Sequence, residues 1–121
     1  MKDFRDLHVW ERSHALTLAL YATTTDFPRT ELYGLTSQIR RCAVSIGANI
    51  AEGCGKRGNN EFQRFLQIAA GSASELDYEL LLAKDLGYLT IPNYSRIADE
   101  LSQIRRMLSA LLRKVNVERR G

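Results

Sequence analysis

The chain has 121 residues, 45% of them hydrophobic and 26% charged, with a formal net charge of +3. That length fits one domain over residues 1–121, excludes a second core, and buries roughly two-thirds of the unfolded surface, enough to fold without staples. No uncharged run approaches the ~20 residues of a membrane span, and no apolar stretch of the signal-peptide kind follows the charged opening Met1-Lys2-Asp3-Phe4-Arg5-Asp6.

Four segments carry helical periodicity. The first is predicted over Val9–Asp26, with Val9, Ser13, Leu16, Leu20, Thr24 and Phe27 on one stripe and Trp10, Thr17 and Tyr21 on a second. Pro28 stops it, because the residue before a proline is pushed out of the α region. The second spans Leu35–Glu52, with Leu35, Ile39, Cys42, Ile46, Asn49 and Gly53 as its seam. Gly53-Cys54-Gly55 is expected to end it, glycine suiting the left-handed residue past a helix.

The third helix starts at Asn60, where Asn60-Glu61-Phe62-Gln63 resembles a capping box. Its seam is Phe62, Phe65, Ala69, Ser72, Leu76, Leu80 (or Glu79) and Ala83, and it ends near Gly87. The fourth begins near Pro92, a residue suited to a first turn. Tyr94, Ile97, Leu101, Ile104, Leu108, Leu111 and Val115 repeat along it in the a/d pattern of a bundle. Short connections make neighbouring helices antiparallel. The expected fold is therefore all-α, an antiparallel up-and-down four-helix bundle.

Two stretches lack charge, Cys42–Ala51 and Phe65–Ser74. Each helix of a lone bundle should show a polar outer face. Helix 2 turns back near Gly58, so the two stretches lie at one height. Val44, Gly47, Ala48, Ala51, Ala70, Gly71 and Ala73 form the expected oligomer interface, small residues admitting a second backbone. The alternative is a tightly packed bundle with a few exposed alanines. A closed homo-oligomer is the usual outcome of such a surface.

The same topology gathers the N-terminus, the helix 2–3 connection and the C-terminus at one end. Lys2, Arg5, Lys56, Arg57, Arg64, Arg113, Lys114, Arg119 and Arg120 meet there, against Asp3, Asp6, Glu52, Glu61 and Glu118. Lys56, Arg57, Arg64, Arg113, Lys114, Arg119 and Arg120 are the candidate nucleic-acid-binding residues, since such a surface suits a phosphate backbone. The competing reading is ordinary end charge with internal pairing: Arg64 is level with Glu52, and Arg41 and Arg105 with Glu75.

Catalytic and metal motifs are not apparent. His8 and His14 do not share a helix face as i,i+4 ligands would. Gly53-Cys54-Gly55-Lys56-Arg57-Gly58 lacks the ending of a phosphate loop and joins two helices. Glu75 and Glu79 share a face, yet no second carboxylate-bearing helix faces them in a di-iron pattern. A non-enzyme with no cofactor and no metal is expected. The cysteines favour a reducing, cytoplasmic setting, with Cys42 a small core residue. Ser45, Asn49 and Ser72, polar at or beside the seams, are expected to fix register or oligomer state, a binding role being the alternative.

These residues together resemble a known family. Leu7-x-Val9-Trp10, Phe27-Pro28-x-x-Glu31-x-x-Gly34-Leu35, Gln38-Ile39-Arg40-Arg41 and Ser45-Ile46-x-x-Asn49-Ile50-Ala51-Glu52-Gly53 follow its pattern. So do Phe62-x-x-Phe65-Leu66-x-x-Ala69-x-Gly71-Ser72-x-x-Glu75-Leu76 and Leu86-Gly87-Tyr88-Leu89. The chain is similar over nearly its whole length to the four-helix bundle proteins encoded in 23S rRNA intervening sequences. The resemblance implies a bacterial bundle assembling as a homopentamer. It also implies kinship with the accessory variability protein of diversity-generating retroelements, a basic pentameric barrel that binds a reverse transcriptase and nucleic acid. The family has no catalytic residue to carry over. The expected function is thus a non-enzymatic accessory protein, oligomeric and RNA-binding, with RNA or DNA and a reverse transcriptase as partners. The alternative is a protein-interaction adaptor with no nucleic-acid role.

Overall fold

In the computed structural model, which describes residues 3–120 (with the side chains of residues 119 and 120 outside the description), four helices follow one another: α1 His8–Thr24, α2 Leu35–Cys54, α3 Asn59–Asp85 and α4 Ile91–Arg120. Short 3-10 turns precede α1 (Phe4–Asp6) and α2 (Arg29–Glu31). Sequential neighbours pack against each other and α4 returns to α1, closing a four-membered ring with no diagonal packing among the described residues. α2 and α3 share the broadest contact, and α1 and α4 the narrowest of the four. Among the described residues there is no strand, and no helix is long and apolar enough to cross a membrane.

The stripes read from periodicity become one core, except the second stripe of α1, where Trp10 and Thr17 are half-buried and Tyr21 is exposed. Val9, Ser13, Leu16, Leu20, Thr24 and Phe27 are all buried, as are Ile97, Leu101, Ile104, Leu108 and Val115 of α4. Buried hydroxyls on α1 are answered within the helix: Ser13 Oγ donates to the Val9 carbonyl at 2.7 Å, and Thr24 Oγ1 to that of Leu20 at 2.7 Å. The narrow α1–α4 side is tied by Arg12. Its Nη2 lies 3.0 Å from both carboxylate oxygens of Glu100 and 2.7 Å from Gln103 Oε1.

The helix ends depart from expectation in three places. Gly53 lies inside α2, and its role is close approach: a Cβ there would stand 3.0 Å from Phe62 Cδ1 and 3.0 Å from Phe65 Cβ. The left-handed glycine of this connection is Gly58, φ 80°, which precedes α3. Asn60 is not the N-cap of α3, because the helix begins one residue earlier, behind Gly58. At the other end of α3, Gly87 (φ 83°) donates to the Lys84 carbonyl and Tyr88 to that of Ala83, both at 2.9 Å. This is the Schellman arrangement that satisfies last-turn carbonyls. Thr90 Oγ1 caps α4 by accepting from the Asn93 amide at 3.2 Å, with Pro92 in that first turn.

Candidate functional site

The basic end is assembled by topology. The α2–α3 connection and the last turns of α4 meet there, with Asn59 Nδ2 donating to Glu118 Oε2 at 3.4 Å. The candidate cations divide into three groups. Lys56 pairs with Glu52 at 3.9 Å and Arg64 with Glu61 at 3.3 Å, while both heads also lie over the Phe65 ring. Arg57, Arg113 and Lys114 are exposed and meet no carboxylate among the described residues. The side chains of Arg119 and Arg120, like Lys2, lie outside the described residues.

Two pairings expected from helix level are corrected. Arg64 selects Glu61, one turn along its own helix, and leaves Glu52 to Lys56, because i,i+3 and i,i+4 neighbours are the nearest on a helix surface. Arg105 selects Asp77 at 3.1 Å and Ser74 Oγ at 3.1 Å, not Glu75. Arg41 forms no ion pair among the described residues.

The expected interface residues do not form one patch. Ala73 is fully buried and belongs to the core, packed with Ala69, Leu76 and Leu80, so it cannot be an outward contact. Gly47 is half-covered by Trp10, whose Nε1 is 3.5 Å from where a Cβ would stand. Ala70 is one and two turns from Ser74 and Asp77, on the side of α3 that meets α4 through Arg105. Ala51 is half-buried. Val44, Ala48 and Gly71 remain outward, joined by exposed Ile68.

Between these outward residues runs a cleft of about 470 Å³ along the α2–α3 seam. Gln38, Arg41, Cys42 and Ser45 line it from α2; Ser72, Glu75 and Glu79 line it from α3. The Ser45 and Ser72 hydroxyls are 2.8 Å apart, and Asn49 Nδ2 donates to the Ser45 carbonyl at 2.8 Å and to Ser45 Oγ at 3.0 Å. The Ser45–Ser72 pair thus ties α2 to α3, while the bonds of Asn49 hold Ser45 from within α2.

That register sets Cys42 opposite Glu75 and Glu79, one donor atom from each lying within 4.8 Å of the others. Glu79 is only 3% exposed; Cys42 Sγ donates to its Oε2 at 3.7 Å, and its Oε1 has no partner. Burial pushes the Glu79 carboxyl upward; the Cys42 hydrogen bond pulls it back, and the charge of Glu75 adds to the rise. Burial also raises the Cys42 thiol, with the two carboxylates beside it adding to the effect. Seam notation already contained this cluster: Cys42 and Glu79 both fall on seam positions, and reflection of the chain at Gly58 brings them together.

The residues that carry the sequence resemblance are largely structural. Glu31 Oε1 accepts from the Leu35 amide at 3.1 Å, at the start of α2, and Glu31 Oε2 accepts from Tyr88 Oη at 2.9 Å. Phe27 and Tyr88 rings meet at 5.5 Å. The Phe27…Glu31…Gly34 and Leu86-Gly87-Tyr88 segments therefore build one corner of the bundle. Leu7-x-Val9-Trp10 seats Trp10 between Phe4, at 4.8 Å, and His14, at 4.9 Å. His8 and His14 are exposed and take no part in the cysteine–carboxylate cluster.

Comparison with known proteins agrees with this architecture. A crystal structure of a protein of unknown function from the S23 ribosomal protein family of Bacteroides thetaiotaomicron superposes with a TM-score of 0.80 at 25% identity. The match covers 87% of this chain and 95% of that one. No curated protein matches the sequence. The family model described as 23S rRNA-intervening sequence protein matches residues 5–110, and the chain belongs to that family.

Proposed function

We propose that this chain is a non-enzymatic, self-associating accessory bundle that binds RNA through the end formed by the α2–α3 connection and the last turns of α4. The observation that carries this reading is the set Arg57, Arg113 and Lys114, exposed at one end and free of carboxylates. Cations already committed to an internal partner lose part of that interaction when they turn to a phosphate; these three do not. The first-turn amides of α3, which lack a side-chain cap, open at the same end beside Arg57 and add the positive pole of the helix. The described side chains around the α2–α3 connection and the last turns of α4 comprise five cations (Lys56, Arg57, Arg64, Arg113, Lys114) against three carboxylates (Glu52, Glu61, Glu118). One bundle therefore offers a modest field, and a ring of bundles repeats it. The pentamer, and a reverse transcriptase as protein partner, rest on the resemblance to accessory variability proteins.

A second reading, a protein-interaction adaptor, is favoured by Val44, Ala48, Ile68 and Gly71, which flank the α2–α3 cleft without polar cover. Mobility shift with structured RNA and duplex DNA over a salt series separates the two. Binding that prefers RNA and is lost in Arg57→Glu/Arg113→Glu/Lys114→Glu supports the first. Absence of binding at low salt, from an oligomer of defined mass, supports the second.

A further inference from the structure

We propose that the α2–α3 cleft is a binding site for a divalent transition-metal cation of the zinc class, held by Cys42 Sγ and the carboxylates of Glu75 and Glu79. The proposal is independent of the RNA reading and rests on two observations of geometry and on the chemistry of the donor set.

First, the donor set spans two helices. Glu75 and Glu79 are one turn apart on α3 and Cys42 faces them from α2, with donor atoms of all three within 4.8 Å of one another. Tetrahedral zinc, with bonds of about 2.0–2.3 Å, separates its ligand atoms by roughly 3.3–3.5 Å. Cys42 Sγ and Glu79 Oε2 are already 3.7 Å apart. Glu75 is exposed, so a rotamer change brings its carboxylate in without cost to the core.

Second, Glu79 Oε1 is a buried oxygen with no hydrogen-bond partner. Buried polar groups are nearly always satisfied, and an orphan of this kind marks a missing partner. Neither cation nearby serves: Arg41 lines the cleft but makes no ion pair, and Arg105 is engaged by Asp77 on another side of α3.

Third, the chemistry is selective. A thiolate beside two carboxylates is a mixed soft and hard donor set, which suits zinc and its first-row neighbours over magnesium or calcium, whose ligands are oxygens alone. On binding, the Cys42 thiol releases its proton to solvent, as does Glu79 when it carries one. The thiolate and the two carboxylates then carry three negative charges, which a dication offsets to a net charge of −1. The cleft opens outward, leaving room for water as a fourth ligand. The metal would clamp α2 to α3.

The test uses full-length protein stripped with a chelator and titrated with Co²⁺ and Zn²⁺. Expected are one ion per chain, a thiolate-to-cobalt charge-transfer band in the near ultraviolet, and a Zn²⁺-dependent rise in Tm. Cys42→Ser should abolish the band, Cys54→Ser should retain it, and Glu75→Gln and Glu79→Gln should each weaken binding by about tenfold or more. Glu75→Gln alters an exposed side chain and so keeps the test valid if a core variant misfolds. No binding by the wild type, a band that survives Cys42→Ser, or affinity untouched by both glutamine variants would overturn the proposal.

Discussion

Glu31 and Tyr88, 57 residues apart in the chain, are joined at 2.9 Å by a hydrogen bond from the phenol to the carboxylate. The other oxygen of the same carboxylate takes the first free amide of α2, from Leu35. One side chain thus caps a helix and fixes the corner where α3 hands over to α4. Glycine at 34 is what admits it, since a Cβ there would stand 2.6 Å from Glu31 Oε1. Glu31→Ala is expected to cost roughly 1–2 kcal/mol in urea denaturation and Tyr88→Phe about 1 kcal/mol. Gly34→Ala should displace the carboxylate, so Gly34→Ala/Glu31→Ala should cost clearly less than the sum of the two singles. Additive losses would show that Gly34 acts independently of Glu31.

Gly53→Ala is expected to destabilise the protein although alanine is the better helix former. The gain in propensity is about 1 kcal/mol. Against it stands a contact at 3.0 Å with Phe65 Cβ, an atom held by its own backbone, and another at 3.0 Å with Phe62. Overpacking of that kind costs roughly 1–3 kcal/mol. A net loss of about 1 kcal/mol by thermal or urea denaturation is expected, whereas Gly47→Ala, with 3.5 Å of clearance to Trp10, should be near neutral.

The buried Glu79 carboxyl makes metal-free protein sensitive to pH in a stated direction. Its folded pKa is raised, chiefly by burial. A raised group contributes stability that is full below the unfolded value of 4.5 and is lost as pH climbs through the folded pKa. Between those two values the folded chain binds more protons than the unfolded one, so this group's contribution falls as pH rises. Glu79→Gln should therefore gain stability at neutral pH and flatten that part of the profile. A wild-type profile unchanged by the substitution would place the charge burden elsewhere.

Self-association is expected to depend on the outward residues beside the cleft. Ala48→Arg should lower the mass measured by light scattering to that of a single chain, leaving helix content unchanged by circular dichroism. Ala73→Arg should instead unfold the bundle, since Ala73 is enclosed. An intact oligomer in Ala48→Arg would assign the association to another face.

Core and topology were legible because periodicity reports which face is buried. Each residue of the first α1 stripe is buried, whereas Trp10 and Thr17 of the second are half-buried and Tyr21 is exposed; the α4 repeat is buried at Ile97, Leu101, Ile104, Leu108 and Val115 and half-buried at Tyr94 and Leu111. Ala73 misled because a small apolar residue reads the same in a core as on a smooth surface. Arg64 and Arg105 misled because the partners of long charged side chains are settled by rotamers among several carboxylates at similar height. The role of Gly53 was hidden because its constraint comes from Phe62 and Phe65 on another helix. The cysteine–carboxylate cluster is not legible in the sequence because Glu75 and Glu79 are faced by a cysteine in place of a second carboxylate-bearing helix, and the three donors meet only once α2 and α3 are in register.

The most direct measurement for the account is the salt dependence of RNA affinity for the wild-type oligomer and for Arg57→Glu/Arg113→Glu/Lys114→Glu. The expected result is tight binding at low salt that weakens linearly in log–log form. The triple variant should lose most of its affinity, with a slope smaller by roughly 0.7–0.9 for each phosphate contact removed. Equal affinity and equal slope for both proteins, or no binding by either at low salt, would contradict the claim that this end of the bundle binds RNA.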